Sequence, residues 1–287
     1  MRHPWFNVRE ALVFVFILAL YAPAAYVAYY LGAPIEAIVV GTLVALFLQY
    51  LIGRRRAVKS VDPEPLPEEL GWLEDESKRL SDEFDIAEPN LYLGDMGSPN
   101  AFAVGRAGNG TIVISSMLVR LLDDDELIAV LAHECSHLRS RDTIPMVIGE
   151  GIGSILSLFV TAALAPLPDE GMNKRREDPL AHAGGKAIHT LVMSTLFIIS
   201  RRREYIADED AKGALDTGVP LATGLDKIAH ANAMHNFRNP PEEAEALCIA
   251  SNLSLPAIGS THPPLEDRVH ELVQDEPHVE MAEPNSS

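Results

Sequence analysis

Cysteine is nearly absent from this 287-residue chain, which has only Cys135 and Cys248. That excludes a disulfide framework, and without a C-x-x-C pair it also excludes a zinc knuckle. Both read as free thiols, the usual state in a reducing compartment. Lysine is scarce as well, at six against seventeen arginines, and the 23 basic residues fall far short of the 41 Asp and Glu. A net charge of −18 lacks the basic footprint that nucleic acid requires, so no nucleic-acid partner is expected.

Long hydrophobic runs, by contrast, are plentiful. Ala11 to Tyr30 carries no charge and is long enough to cross a ~30 Å hydrocarbon core. Leu31-Gly-Ala-Pro34 breaks the run, and a second apolar segment extends from Ile35 to Ile52. A cleaved signal peptide would be shorter and would not be followed at once by another span, so the two read as an anchoring pair. Arg2 and Arg9 precede the pair, Arg54, Arg55, Arg56 and Lys59 follow it, and the loop between has neither Lys nor Arg. The positive-inside rule therefore predicts a multi-pass protein with both outer ends in the cytoplasm.

A third apolar region runs from Ile144 to Leu167 with only Glu150 interrupting it, and a fourth from Ala187 to Ser200. The fourth is short for a span, at roughly 21 Å of helix. The loop between carries Lys174, Arg175, Arg176 and Lys186, so a second hairpin conflicts with the charge rule, and helices buried at the membrane face are the alternative.

The polar remainder opens with Val61-Asp-Pro-Glu-Pro-Leu-Pro67, a stiff linker by composition. Glu68 to Phe84 has helical periodicity, and three short strands are predicted at Asn90–Leu93, Ala101–Val104 and Thr111–Ser115. A helix is expected over Asp123–Arg139, with acidic residues in its first turn and Arg139 in its last. Further helices are expected near Glu204–Thr217, Leu221–Phe237, Pro241–Leu253 and Leu265–Val273.

The Asp123–Arg139 helix contains His133-Glu134-Cys135-Ser136-His137, an H-E-x-x-H pentad. Residues four apart share a helix face, so both imidazoles can grip one cation. Zinc suits them because it accepts imidazole nitrogen and tolerates a position left open to water. Glu134 beside that position can take a proton from the water, which points to hydrolysis of peptide bonds. Chance supplies such a pentad in roughly 3% of shuffled chains of this composition, so its helical setting matters. A third ligand is still needed. On chemistry alone the choice stays open among Glu204, Asp208, Glu209, His182, His189, His230, His235 and His262.

The stretch Ser200-Arg-Arg-Arg-Glu204-Tyr-Ile-Ala-Asp208-Glu-Asp-Ala resembles the second signature of the HtpX family of membrane-bound zinc proteases, relatives of the enzymes that trim prenylated CaaX proteins. Pro99-Asn-Ala-Phe-Ala-Val-Gly105, Thr261-His-Pro-Pro264 followed by Arg268, and the N-terminal pair of spans extend the resemblance over nearly the whole chain. It implies that His133, His137 and Glu204 are metal ligands, with one zinc ion per chain. An Asp one turn from Glu204 can orient a ligand imidazole, so Asp208 is assigned that role toward His133. Asn100, Ala101 and Phe102 resemble the substrate-side strand, and His262, in a rigid turn, can hydrogen-bond an oxyanion. Glu134, Asp208 and His262 are thus the catalytic candidates.

The expected fold is mainly α, a membrane-anchored, gluzincin-type metalloprotease with a small β-sheet beside the H-E-x-x-H helix. The expected organisation is a transmembrane hairpin over 1–56 and a helix, sheet and catalytic helix over 57–143. A second hydrophobic hairpin over 144–200, a helical part over 201–274 and a loose acidic tail over 275–287 follow. The resemblance implies cleavage of membrane-protein or peptide substrates at the bilayer, in quality control at the cytoplasmic face of the cell membrane, or alternatively CaaX-type processing. A non-catalytic membrane scaffold with a structural zinc is the rival from another class, and it would leave Glu134 without a purpose.

The acidic, lysine-poor composition also motivates a hypothesis about milieu, because salt screens the self-repulsion of such a surface. The purified protein is expected to unfold at lower denaturant concentration in low salt than in molar KCl. Equal midpoints in the two would remove the hypothesis.

Overall fold

The structure is a computed structural model that describes residues 28–141, 143–164, 179–235, 237–245, 247–249 and 265–274, with Pro263 and isolated positions between 15 and 26. Most of the first apolar run, much of the loop before Pro179, His262 and the acidic tail lie outside the described residues. The chain divides into two compact units. One comprises Met1–Ala57, Ile144–Ser200 and Leu253–Thr261, and the other Val58–Thr143, Arg201–Asn252 and His262–Ser287.

The first unit contains most of helix α1 (Ile35–Lys59), most of α5 (Thr143–Leu164) and the first part of α6 (Pro179–Leu215). Both α1 and α5 are long and apolar enough to cross a membrane. Val39, Leu43 and Phe47 of α1 stand exposed, a surface suited to hydrocarbon rather than water. Small residues let α5 and α6 approach closely. A Cβ on Gly149 would meet Leu196, and one on Gly185 would meet Thr161 and Ser157. Glu150, the acidic residue of α5, is paired with His189 at 3.0 Å and accepts a hydrogen bond from Ser154.

Helix α6 corrects an expectation. A short apolar segment ending at Ser200 and a new helix near Glu204 are instead one helix of 37 residues. Neither Gly nor Pro interrupts the junction at 200–204, so helical hydrogen bonding continues through the change from apolar to charged sequence.

The second unit is built on a four-stranded sheet in the order β1-β2-β4-β3. Its strands are β1 (Glu64–Pro65), β2 (Asn90–Gly94), β3 (Ala101–Arg106) and β4 (Asn109–Ser115). Strand β1 is a second correction, since it lies in the stretch expected as a linker and pairs antiparallel with Leu93 and Tyr92. Its proline is tolerated at a sheet edge, where a missing N–H need not break a central ladder. Strand β4 runs parallel to β2 and antiparallel to β3. Gly105, opposite Gly110 near the end of the β3–β4 hairpin, has φ +130°, and a Cβ there would lie 2.4 Å from the Asn109 carbonyl oxygen.

Strand β3 is the other edge, yet Ala101 through Val104 are fully buried. The Asn100 carbonyl accepts from the Ser115 N–H, so the main chain of Ala101, Ala103 and Gly105 faces away from β4. These outward groups are largely engaged. The Ile249 N–H donates to the Ala101 carbonyl at 2.9 Å, and the Gly105 N–H and carbonyl both lie 3.3 Å from the Thr143 hydroxyl.

Helices then cover the sheet. Helix α2 (Gly71–Phe84) follows a 3-10 turn and buries Leu73, Leu80 and Phe84. Ser115 caps α3 (Ser116–Leu121), a short helix that the periodicity does not signal. The catalytic-helix candidate is α4 (Asp124–Ser140). Asp123 accepts from the Glu126 N–H while the Glu126 carboxylate accepts from the Asp123 N–H, a complete capping box. Leu127, Val130, Leu131, Cys135 and Leu138 of α4 are in the core with Ile112 and Ile114 of the sheet.

Helices α7 (Val219–Met234) and α9 (Leu265–Val273) pack on one another and α7 on α4. The helix expected over Pro241–Leu253 shrinks to α8 (Glu242–Glu245) among the described residues, because the Ile249 N–H leaves helical pairing for Ala101.

Substituting Gly105→Ala should cost about 1–3 kcal/mol, because the obstructing atom is backbone and the φ is strained for any side chain. A thermal midpoint lowered by roughly 2–4 °C per kcal/mol is the expected reading, and an unchanged midpoint would refute the strain.

Candidate metal centre

Helix α4 places His133 and His137 one turn apart, with their Nε2 atoms 3.1 Å from each other. Helix α6 supplies Glu204, whose Oε2 lies 3.6 Å from His133 Nε2 and whose Oε1 lies 3.5 Å from His137 Nε2. These three residues form a group able to hold a metal ion. Bonds of about 2.0–2.1 Å in a tetrahedron put ligand atoms roughly 3.3–3.4 Å apart, so the observed spacings suit zinc. His133 is fully buried and Glu204 is 3% exposed, which leaves only the rim of His137 near solvent.

The carboxylates around the imidazoles are buried as well. Glu134 and Asp208 are 1% and 3% exposed, and Arg268 of α9 is buried among them. Nominally, three carboxylates and one guanidinium leave two negative charges in the core, the amount a divalent cation neutralises. The donor set of two imidazoles and one carboxylate is also the catalytic rather than the structural pattern for zinc. Residues and charge therefore fit the metal.

Asp208 lies one helical turn after Glu204 on α6, and its Oδ1 is 3.0 Å from His133 Nδ1. The approach is oblique, since Nδ1 has no well-directed hydrogen bond. A ring turned this way offers Nε2 for coordination. Burial acts against a charged His133, but Asp208 and Glu204 outweigh it and lift the ring to about 9. Burial also pushes the Asp208 carboxyl up, but the Arg268 charge and hydrogen bonds prevail and hold it below the usual carboxylate range.

Glu134 is pushed up by burial, with His137 and His133 pulling the other way and a hydrogen bond from the Ala103 N–H assisting them. One of its oxygens, Oε2, is buried without a hydrogen-bond partner, and so offers acceptor capacity inside the site. Cys135 faces the hydrophobic core, and burial pushes its thiol up to about 12. It is unsuited to act as a fourth ligand, because a ligand must be thiolate.

Of the residues expected on the substrate side, Asn100, Ala101 and Phe102 are all buried at the start of β3. The Asn100 N–H donates to the Ser115 hydroxyl, and its side chain accepts from the Ala101 N–H. Contact between this strand and the site runs through Ala103, which the sequence reading did not single out. Arg268, which follows the Thr261-His-Pro-Pro264 stretch, reaches the same cluster from α9. His262 lies outside the described residues. His182, His230, His235 and His270 are exposed, and His189 pairs with Glu150, so none joins the ligand group.

Comparison with known proteins gives the same picture. The sequence pattern of peptidase family M48 matches residues 67–276. A protease HtpX homolog of Halobacterium salinarum is 35% identical over 289 residues, covering 91% of this chain and 99% of its own. One from Sulfurihydrogenibium sp. is 31% identical, covering 83% of this chain and 86% of its own. The crystal structure of S. mikatae Ste24p superposes with a TM-score of 0.51 at 19% identity. That likeness, which speaks for the fold alone, covers 91% of this chain and 62% of the other.

Zinc supplied at about 100 times its dissociation constant should raise unfolding free energy by about 2.7 kcal/mol. The increment, measured by denaturation with and without zinc, should largely vanish in His133→Ala, His137→Ala and Glu204→Ala. An increment that survives all three would place the ion elsewhere.

Proposed function

This chain belongs to peptidase family M48 and is a metallopeptidase, and on that footing we propose that it is an integral-membrane zinc endopeptidase acting at the cytoplasmic face of the cell membrane. The observation that carries the reading is the His133–His137–Glu204 group, open to solvent only at His137, with Glu134 beside it and no fourth protein ligand among the described residues. A structural zinc is usually closed by four protein groups, mostly cysteine, whereas a catalytic one keeps a place for water.

When bound, zinc supplies a Lewis acid that polarises a carbonyl and makes a water acidic near neutral pH. The protein residues do the rest. Asp208 orients the His133 ring, and Glu204 completes the ligand set from the neighbouring helix. Glu134 takes the proton of the attacking water and returns it to the leaving amine. Burial pushes this carboxyl above its ordinary range, against the pull of His137 and His133. His262 is assigned to hydrogen-bonding of the oxyanion. Asn100, and Ala101 and Phe102 of strand β3, are assigned to the substrate side of the site, although the edge that an extended peptide would pair with is largely taken by Ile249, Thr143 and Glu134.

The substrates proposed are damaged or misfolded membrane proteins, cleaved in stress-related quality control. Support comes from the likeness to HtpX proteases and from the two helices able to cross a bilayer. The cytoplasmic side is argued from Arg2 and Arg9 before the first apolar run and Arg54, Arg55, Arg56 and Lys59 after the second.

Glu134→Gln tests the chemistry. The purified variant should keep one zinc per chain by elemental analysis while casein cleavage falls by several orders of magnitude. Cleavage at the parent rate would remove Glu134 from the mechanism. Expressed in cells, the same variant should retain membrane proteins as uncleaved complexes, and retention of soluble proteins alone would overturn the substrate class.

A further inference from the structure

Arg268 is among the largest fully buried side chains of the protein, at 1% exposure. Burying a guanidinium is costly unless its donors are satisfied, and here they are. Nε donates to Asp208 Oδ2 at 2.8 Å, Nη2 to Asp208 Oδ1 at 2.7 Å, and Nη1 lies 3.3 Å from Glu204 Oε2. One planar group from α9 thus spans two carboxylates that stand a turn apart on α6.

We propose that Arg268 is the positioning residue of the metal centre, a fork that fixes both the aspartate beside His133 and the carboxylate of Glu204. The inference rests on the reading of His133, His137 and Glu204 as zinc ligands. Its geometry is specific. Asp208 Oδ1 is shared between Arg268 Nη2 and His133 Nδ1, so the bidentate pair sets the carboxylate plane and, through it, the imidazole. On the other side Arg268 Nη1 forms an ion pair with Glu204 Oε2 at 3.3 Å, while Oε2 and Oε1 lie 3.6 and 3.5 Å from the Nε2 atoms of His133 and His137. So placed, Glu204 would complete a three-residue ligand set and leave a position open to water.

Stability alone explains the cluster poorly. Replacing buried ion pairs by apolar groups is often neutral or stabilising, so a buried fork of this kind is weak evidence of a purely structural role. The fork is also anchored. Val269 and Leu272 of α9 are in the core, Lys212 Nζ donates to the Leu272 carbonyl at 2.9 Å, and Gly218 packs so close that a Cβ would come within 2.3 Å of that oxygen. Helix α9 therefore presents Arg268 from a fixed position.

The test uses the full chain in detergent, with Zn²⁺ titrated against a chromophoric chelator, the absorption of the Co²⁺-loaded protein, and casein kinetics. Arg268→Met should weaken zinc binding 10–100-fold and lower kcat with KM little changed. It should also reduce the cobalt absorption from four-coordinate intensity toward that of a higher coordination number. Arg268→Lys restores charge without the planar fork and should recover less than half of the loss on a logarithmic scale. In an Asp208→Asn background, Arg268→Met should cost less than it does alone, because the two act in one chain of contacts.

Parent zinc affinity and an unchanged cobalt spectrum in Arg268→Met, with only a lowered unfolding midpoint, would reduce the residue to a structural ion pair and overturn the proposal. Full recovery by Arg268→Lys would overturn it too, showing that charge suffices. Should Arg268→Met fail to fold, Arg268→Lys decides alone, since a tenfold loss of zinc affinity supports the fork and parent affinity refutes it. A parent protein that binds no stoichiometric zinc would overturn the metal-site reading and the fork with it, whereas zinc bound equally by parent and variants overturns the fork only.

Discussion

Three carboxylates buried in one core repel each other and resist dehydration, and the second unit is arranged around answering that constraint. Glu134 comes from the pentad helix, and Glu204 and Asp208 from a helix that follows far later in sequence. Their compensation has to come from elsewhere, and α9 delivers a guanidinium among them. Two imidazoles complete the cluster, arranged so that their Nε2 atoms converge where a divalent cation would finish the neutralisation. The fold brings these groups together through helix packing. Helix α4 rests on the sheet through Leu131 and Leu138, and α7 and α9 close the other side with Leu221, Leu225, Val269 and Leu272.

Much of this was legible in the sequence wherever short-range periodicity carries the information. The α4 boundaries follow from Asp123 and its acidic first turn, and the three strands fall within one or two residues of where alternating apolar runs put them. Long-range partners were harder. Spacing alone left eight candidates for the third ligand, because Glu204 reaches the histidines only through tertiary packing, and resemblance to a family supplied the choice. Arg268 carries no local signal at all, since an arginine on an amphipathic helix reads as solvated until its burial is seen.

The misses share a physical cause. The Glu64–Pro65 strand looks like linker because two residues hold no periodicity, and its pairing partners lie nearly thirty residues away. The continuous α6 was divided because composition changes abruptly at Ser200, yet helices respond to backbone hydrogen bonding and not to polarity. Glu150 in α5 interrupts an otherwise apolar run, and its compensation by His189 and Ser154 sits on a different turn and a different helix.

The treatment of the sheet's two rims has a consequence for colloidal behaviour. One rim is two residues long and contains a proline, and on the other the Ala101 carbonyl, the Ala103 N–H and the Gly105 N–H and carbonyl are engaged by Ile249, Glu134 and Thr143. Exposed strand edges recruit other chains into growing ladders. A sheet with one rim so short and the other largely engaged gives a partly unfolded neighbour little continuous backbone to extend. Local encounters with extended polypeptide are thereby kept from seeding cross-β assembly.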